Sequence, residues 1–352
     1  MKEFKKYIVV QKIGKENDAG SKARADVIEI CHARGFQDFE LVSEQFQNRK
    51  IYIHHARRFL EPLEQRREIA KQFKFLESES TVLMQYPLPG YLKHASTLTL
   101  LKKIKQKKRL KIYAIIHDLD SLRNVNKSTV AFEKKWISIF DALIAHNEVM
   151  KSYLISKCHY TKKIETLVFF DYLTDFEPTQ PSLNDSSVIF AGNLNKSLFC
   201  KELKCIPQVI FNLYGPITDP STLQAPNVRY CGQASPDKIV STIQGDYGLV
   251  WDGPQIETCS GSYGEYLKYN TSHKLSLYIV AGKPLIVWKN SALADYITKQ
   301  QIGFAVSSLS ELPAALSNIT KEQYECMCRN VRTIAKEISC GPHLAHALES
   351  IL

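Results

Sequence analysis

The segment from Gly261 to Val287 constrains the fold of this chain more than any other part of its sequence. It begins as a glycine-bearing loop and continues with apolar residues at helical spacing, among them Leu275 and Ile279. Gly282 suits the left-handed position that closes a helix, and Pro284 cannot continue one, so the apolar run that follows is predicted to be a buried strand. The segment therefore predicts a loop, a helix and a strand, a connection typical of α/β sheets.

The start of this helix has the features of an anion-binding site. A helix N-terminus carries free N–H groups and a partial positive charge, and Lys274 adds a full charge. The strand Tyr247–Trp251 precedes it and ends in a turn, where open α/β sheets bind ligands. We therefore predict a pyrophosphate site formed by donors near the helix start: Tyr269, Asn270, Ser272 and Lys274. The alternative is that these residues cap the helix or face solvent.

Length and linker composition predict two domains. A chain of 352 residues exceeds one ordinary core, and residues 175–187 are rich in proline, serine and asparagine. Placing the boundary there gives a first domain over residues 1–174 and a second over residues 187–340. A Gly-Pro pair ends the last long helix, and residues 343–352 are predicted to form a closing helix that packs back on the first domain.

Both predicted domains begin with the same unit, a strand, a glycine-containing turn and a helix. In the first, Gly20 and Ser21 at the helix start offer backbone N–H groups to a ligand, although an ordinary capping loop explains them equally well. In the second, Asn193 and Lys196 follow the strand and its glycine. The first unit lacks a G-x-G-x-x-G pattern, which disfavours a dinucleotide. Two such domains in tandem predict a cleft between them.

Polar groups also follow a buried strand at residues 111–117. His117, Asp118 and Asp120 stand at its carboxyl end, from which α/β proteins present functional groups. An imidazole or carboxylate there could remove a proton from an attacking hydroxyl. The Asp-x-Asp spacing also resembles a clamp for a divalent cation, since hard cations prefer oxygen ligands. A third interpretation is that Asp118 or Asp120 caps the next helix.

The charge balance predicts an anionic partner. Lysine and arginine outnumber aspartate and glutamate by 46 to 36, and many of the cations cluster at residues 102–111. Such a cluster is a solvated helix end or a contact for anionic lipids, which attract each cation by roughly 1 kcal/mol. Nucleic acid is disfavoured because no aromatic residues alternate with the charges. The nine scattered cysteines and the absence of a long apolar run favour a cytoplasmic protein with reduced thiols.

Several strings resemble one family. HKLSLYIVAGKPLIV, with GLVW and EYLKYN before it, resembles the donor-binding half of GT-B glycosyltransferases. Within these it is similar to the bacterial group of accessory-secretion glucosyltransferases and polysaccharide β-galactofuranosyltransferases. FAGNLNK is similar to the strand and turn that open the second domain of that group, and NDAGSKA and IIHDLDSLR resemble the galactofuranosyltransferase branch.

The resemblance implies an α/β fold of the GT-B type, two Rossmann-like domains facing each other across a cleft. It implies a UDP-sugar donor at Gly20, Ser21, Asn193, Lys196, Tyr269, Asn270, Ser272 and Lys274. No metal or other cofactor is expected, because cations and helix dipoles neutralise the departing diphosphate. His117, Asp118 or Asp120 is then the candidate base for an inverting transfer.

The expected activity is transfer of galactofuranose to a glycan acceptor, lipid-linked in one version, during cell-surface polysaccharide synthesis. Glucose transfer to a GlcNAc-modified serine-rich protein is the runner-up. A sugar-nucleotide-binding partner subunit without catalysis is the alternative from another class. The group implies a homodimer or homotetramer, and the cations at 102–111 suggest peripheral contact with the inner face of the cell membrane.

Overall fold

The computed structural model describes residues 4–11, 19–41, 66–67, 69–88, 95–123, 130–178 and 186–352. It contains two six-stranded parallel sheets with helices around them. The predicted α/β fold with two Rossmann-like halves is confirmed. The sequence also predicts an amphipathic helix from about Leu60 to Leu76, and that segment lies partly outside the described residues.

The first sheet is built from the first half of the chain. Its strands are β1 (Lys6–Gln11), β2 (Phe36–Leu41), β3 (Thr81–Tyr86), β4 (Lys111–Ile116), β5 (Ala142–Ala145) and β6 (Lys163–Thr166). Its helices are α1 (Ala19–His32), α2 (Ala95–Lys108), α3 (Asp120–Arg123), α4 (Val130–Ile137) and α5 (Glu148–Ser156). Strands β3, β4 and β5 are almost wholly buried, as their continuous apolar runs predict for a sheet covered on both faces.

The second sheet follows from residue 188. Its strands are β7 (Val188–Ala191), β8 (Phe211–Tyr214), β9 (Val228–Tyr230), β10 (Tyr247–Val250), β11 (Leu285–Trp288) and β12 (Gly303–Val306). The helices are α6 (Pro236–Thr242), α7 (Gly261–Tyr266), α8 (His273–Val280), α9 (Ala294–Lys299), α10 (Leu312–Ser317), α11 (Lys321–Ile338) and α12 (Pro342–Ile351). Short 3₁₀ segments cover Leu198–Cys205, Pro220–Leu223 and Leu309–Glu311.

Strand order places one switch point in each sheet. The first sheet has the order β2-β1-β3-β4-β5-β6, so the winding direction changes between β1 and β3. The second has the order β12-β11-β10-β7-β8-β9, and the change falls between β7 and β10. Ligands of open α/β sheets bind beyond the strand ends at such points. Helices α1 and α8, which lie at the two switch points, contact each other.

Helix α8 is held over the second switch point by a glycine. A Cβ at Gly248 of β10 would lie 2.2 Å from a ring atom of Tyr278, so only glycine admits the helix this close. The Tyr278 hydroxyl accepts a hydrogen bond from the backbone N–H of Ala191, at a distance of 2.8 Å. Helix α8 is thereby tied to both β7 and β10, and Gly282 follows it at φ +72°, as predicted.

The last helix returns to the first sheet. Leu344 and Leu348 of α12 pack in one apolar cluster with Ile8 of β1 and Ile30 of α1. The carboxylate of Asp171, in the segment that links the sheets, accepts hydrogen bonds from the first backbone N–H groups of α12. Such a side chain satisfies donors that a helix start leaves unpaired.

One local prediction was wrong. The residues around Gly261 and Gly264, predicted as a loop, form the short helix α7. A Cβ at Gly264 would lie 2.6 Å from the carbonyl carbon of Cys259 and 2.9 Å from the backbone oxygen of Asp252. The glycine therefore serves close packing of α7 on the turn after β10, where the sequence pattern suggested a loop.

Candidate active site between the two sheets

Lys274 lies at the second switch point. It is the second residue of α8, whose N-cap is Ser272, and the Ser272 hydroxyl accepts the Lys274 backbone N–H at 3.4 Å. The Lys274 ammonium is 3.5 Å from a carboxylate oxygen of Asp252, which follows β10, and 5.1 Å from the centroid of the Phe190 ring in β7. The ion pair is long, and the cation is mostly buried, with 17% of its side chain exposed.

A glycine after β7 makes room for this lysine. A Cβ at Gly192 would lie 3.0 Å from Cε of Lys274. The two predicted donor-site residues that follow, Asn193 and Lys196, have exposed side chains, and the Lys196 backbone N–H bonds to the Asn193 carbonyl at 3.0 Å. The structure thus brings the turn after β7 to Lys274, while the Lys196 side chain points into solvent.

The other predicted residues before α8 divide into two kinds. Tyr269 packs edge-on against Tyr153 of the first domain, with ring centroids 5.6 Å apart. Asn270 holds its side-chain oxygen Oδ1 buried and without a hydrogen-bond partner in the described part of the chain. Tyr269 therefore fastens the two halves together, and Asn270 keeps an acceptor available.

The first switch point contributes two cations that sequence analysis missed. Lys22 of α1 donates to the carbonyl of Leu173 at 2.9 Å and forms an ion pair with Asp26. Arg24 of the same helix donates to backbone oxygens of the strand end, Gln85 at 3.1 Å and Pro87 at 2.8 Å. Both lie just after the predicted Gly20 and Ser21, which form the first turn of α1. The sequence signal that could have found them is the presence of two cations, Lys22 and Arg24, within the first two turns of α1.

Three histidines surround one phenylalanine between the sheets. Around the Phe170 ring, His117 stacks at 5.7 Å, His146 meets it edge-on at 4.8 Å, and His273 lies at 4.7 Å. Burial lowers the pKa of His146 to about 4 and that of His273 to about 3. Burial, aided by Arg24 and the neighbouring histidines, also lowers the pKa of His117 well below its ordinary value. All three rings are therefore neutral at neutral pH.

His146 and Asn147 fasten the start of α8 to the first sheet. Nδ1 of His146 accepts the backbone N–H of Thr271 at 3.0 Å. The side-chain amide of Asn147 donates to the carbonyl of Tyr269 and to the hydroxyl of Thr271, each at 3.1 Å. Its oxygen accepts the backbone N–H of Met150, so Asn147 is also the N-cap of α5. These contacts connect the two domains.

His117 is oriented for proton transfer. Its Nε2 lies 2.8 Å from Oε1 of Gln85, whose amide nitrogen in turn donates to the Arg24 carbonyl. Because Oε1 only accepts, Nε2 carries the ring proton and Nδ1 keeps its lone pair. Asp118, by contrast, accepts a hydrogen bond from Arg123 at 2.6 Å. Burial raises the pKa of Asp118 even though Arg123 opposes the shift.

The third predicted acid, Asp120, begins helix α3 above a buried glutamate. The carboxylate of Glu133 accepts the Asp120 backbone N–H at 2.9 Å and also the Ser121 hydroxyl. Burial raises the pKa of Glu133 to about 7 and also raises that of Asp120. Sequence analysis missed Glu133, because it is followed by Lys134 and Lys135 and three consecutive charges resemble a solvated helix face. It holds the 118–121 turn in place.

The chain matches one family over almost its whole length. Residues 5–168 match the family described as "Glucosyltransferase 3-like, N-terminal domain", and residues 188–351 match "Glucosyltransferase 3-like, C-terminal domain". The beta-1,6-galactofuranosyltransferase WbbI of Escherichia coli K12 is 30% identical over 343 residues, which cover 95% of this chain and 94% of that protein. Glucosyltransferase 3 of Streptococcus gordonii is 29% identical over 226 residues, or 63% of this chain and 65% of the relative.

Solved structures share the fold. Anabaena Alr3699/HepE in complex with UDP has a TM-score of 0.61 at 13% identity, covering 98% of this chain and all of that one. Sucrose-phosphate synthase of Thermosynechococcus elongatus has a TM-score of 0.62 at 13% identity and covers 95% of each chain. At this identity the likeness concerns the two-domain architecture alone.

Proposed function

The chain belongs to the glucosyltransferase 3-like family of GT-B glycosyltransferases, and we propose that it transfers galactofuranose from a UDP-linked donor to a glycan acceptor. The observation that carries the proposal is the position of Lys274, at the N-terminus of α8 and at the switch point of the second sheet. A cation, a helix N-terminus and a strand-end turn converge there, which is the arrangement a diphosphate requires.

Lys274 would neutralise the departing diphosphate. Charge builds on the leaving group during glycosyl transfer, and a preorganised cation in a dry site stabilises it strongly. The ion pair of Lys274 with Asp252, at 3.5 Å, is longer than a charge-assisted hydrogen bond, so the ammonium retains donor capacity for a ligand. Asp252 then serves to orient the lysine. This chemistry requires no metal ion.

Unpartnered polar atoms support a ligand beside Lys274. Both ring nitrogens of His273 are buried and lack a hydrogen-bond partner among the described residues, as does Oδ1 of Asn270. Leaving buried polar atoms unpaired costs about 1–3 kcal/mol each, so such atoms call for an explanation. A nucleotide sugar offers hydroxyls, imide and phosphate oxygens that pair with them. We assign His273 to the sugar-phosphate and Asn270 to a donor hydroxyl or imide.

The acceptor would bind on the first-domain side of the cleft. Nδ1 of His117 keeps its lone pair, while Asp118 is engaged by Arg123, so His117 is the preferred base for an inverting transfer. Loss of the acceptor hydroxyl proton to Nδ1 would give an imidazolium that the surrounding cations disfavour. The incoming diphosphate supplies the compensating negative charge.

The sugar is assigned from relatedness. Galactofuranose is preferred because the relative that matches over 95% of this chain is named a beta-1,6-galactofuranosyltransferase. Glucose is the second candidate, because the two streptococcal relatives are named glucosyltransferase 3. Cell-surface polysaccharide synthesis and a homo-oligomeric state remain predictions, the latter checked by light scattering during gel filtration.

The test is a donor screen with the purified chain. UDP-galactofuranose and UDP-glucose are each mixed with glycan acceptors, and products are identified by mass together with released UDP. Transfer from UDP-galactofuranose supports the proposal, and transfer from UDP-glucose alone reassigns the sugar. Donor binding without transfer or hydrolysis, over a range of acceptors, would favour a non-catalytic subunit and overturn the enzymatic assignment.

A further inference from the structure

A basic face lies at the end of the first sheet that points away from the cleft. We define it by Lys102, Lys105, Arg109, Lys111 and Lys162. The first four line a shallow, open depression of about 400 Å³ at the start of β4. His117 follows the other end of the same strand, and six strand residues span about 20 Å. The face is therefore well separated from the candidate active site.

Two of its lysines are held in place by carbonyl groups. Lys105 donates to the Ile139 carbonyl at 2.6 Å, and Lys162 donates to the Phe140 carbonyl at 2.6 Å. Burial lowers the pKa of Lys162, and the nearby ammonium groups of Lys105, Lys102 and Lys111 lower it further. The backbone thus fixes like charges close to one another.

Carboxylates do not balance these charges in the described part of the chain. Asp141 lines the depression, but it is occupied by Lys105 at 2.7 Å and by the backbone N–H of Ile112 at 2.8 Å. Arg109 has an exposed ion pair with Glu79 at 3.2 Å, which solvent weakens. The five cations of the basic face are therefore opposed by two carboxylates among the described residues. Lys102 and Lys111 are exposed to solvent.

The distribution of charge along the chain also places the positive excess in the first half. Residues 1–187 contain 32 lysines and arginines against 23 acidic residues, whereas residues 188–352 contain 14 against 13. Almost the whole positive excess therefore belongs to the half that bears the basic face. The half with the donor site is close to neutral.

We propose that the basic face binds the surface of a bilayer that contains anionic phospholipids. An open depression edged by exposed lysines suits many headgroup phosphates on a plane better than one enclosed ligand. No helix in the described part of the chain is long and apolar enough to span a membrane, so attachment here would rest on surface charge. The cleft would stand about 20 Å from the lipid phosphates, farther than the range of their charge at physiological salt.

Vesicle co-sedimentation of the full chain tests this proposal. Vesicles of phosphatidylcholine alone are compared with vesicles that also contain phosphatidylglycerol, at low and physiological salt. The test variant carries Lys102→Glu and Lys111→Glu, and the matched control carries Lys204→Glu and Lys321→Glu, the same charge change on exposed lysines of the second half. Each face cation contributes about fivefold, so the test variant loses at least about 25-fold in binding while the control stays near wild type.

Three outcomes would overturn it: no binding to the anionic vesicles, equal losses in both variants, or tighter binding to a DNA duplex with the same loss in the test variant. The last result would assign the face to nucleic acid. UDP release from the soluble donor is measured in parallel and is expected to be unchanged in both variants. Failure of the proposed glycosyl transfer would therefore be distinguishable from failure of membrane binding.

Discussion

The two switch points face each other but use their cations differently. At the first, Lys22 and Arg24 are committed to backbone carbonyls of Leu173, Gln85 and Pro87 at 2.8–3.1 Å. At the second, Lys274 has one long ion pair of 3.5 Å and the face of an aromatic ring. Lys22 and Arg24 are held by protein oxygens and therefore shape the cleft. Lys274 keeps more of its hydrogen-bonding capacity and is therefore better suited to bind a ligand. Substitutions at the two points should therefore fail in different ways.

Lys22→Met gives the largest expected effect, and the effect is on stability. The substitution leaves Asp26 buried without its cation, which costs about 3–5 kcal/mol of unfolding free energy. Denaturant unfolding measures the loss. The double variant Lys22→Met/Asp26→Asn is the control and should recover part of it, because both charges are then gone. A single variant as stable as wild type would show that Lys22 does not shape the cleft.

Lys274→Met should leave the fold intact and strongly lower the transferase activity. Loss of a preorganised donor to the leaving group lowers kcat/KM roughly 10²–10³-fold. Steady-state kinetics with the donor identified by the screen measures this, and Lys204→Met on the exposed surface is the control. Lys196→Met, made in the same series, tests the second predicted donor-site lysine. If Lys274→Met kept full activity, the contrast between the switch points would be wrong.

Glu133→Gln should remove a pH dependence of stability. The pKa of Glu133 is about 7 in the folded chain and near 4.5 when unfolded, so only the folded state keeps the proton between these values. The stabilisation that Glu133 contributes to the wild type is then complete below about pH 4.5. It decreases as the pH rises to 7, by up to about 3 kcal/mol.

The measurement compares unfolding free energies of wild type and Glu133→Gln at pH 5 and pH 8. The two should differ little at pH 5, where both side chains are neutral, and the variant should be relatively more stable at pH 8. Asp26, whose raised pKa of about 6 acts in the same direction, is present in both chains and cancels. Parallel curves would contradict the role assigned to Glu133.

His273→Phe has the smallest expected effect, but it should change stability and donor affinity in opposite directions. Phenylalanine keeps the ring packed on Phe170 but removes two buried, unpaired nitrogens, so the free chain should gain up to about 1 kcal/mol. Donor affinity should fall by about fivefold or more, because the proposed contact to the sugar-phosphate is lost. Thermal unfolding with and without UDP separates the two. A variant that is less stable and binds donor normally would make His273 a packing residue.

The sequence predicted local elements well where a short pattern decides them. Helix α8 and its closure at Gly282 both depend on neighbours within a few residues. The position of Lys274 at the start of α8 was predicted for the same reason, since the apolar spacing of that helix lies within a few residues of it. The helix at Gly261–Tyr266 was missed, because its glycines reflect packing on the turn after β10.

The sequence by itself determined that this chain forms two parallel α/β halves and that Lys274 lies in the first turn of α8. Apolar periodicity, glycine and proline act over a few residues, so they can be read without a partner. Only the tertiary structure decided that Thr271 bonds to His146, that Arg24 holds the end of β3, and that Phe170 gathers three histidines. These contacts join residues from 24 to 125 positions apart. Burial, which also sets the pKa values of the histidines, exists only once both sheets are assembled.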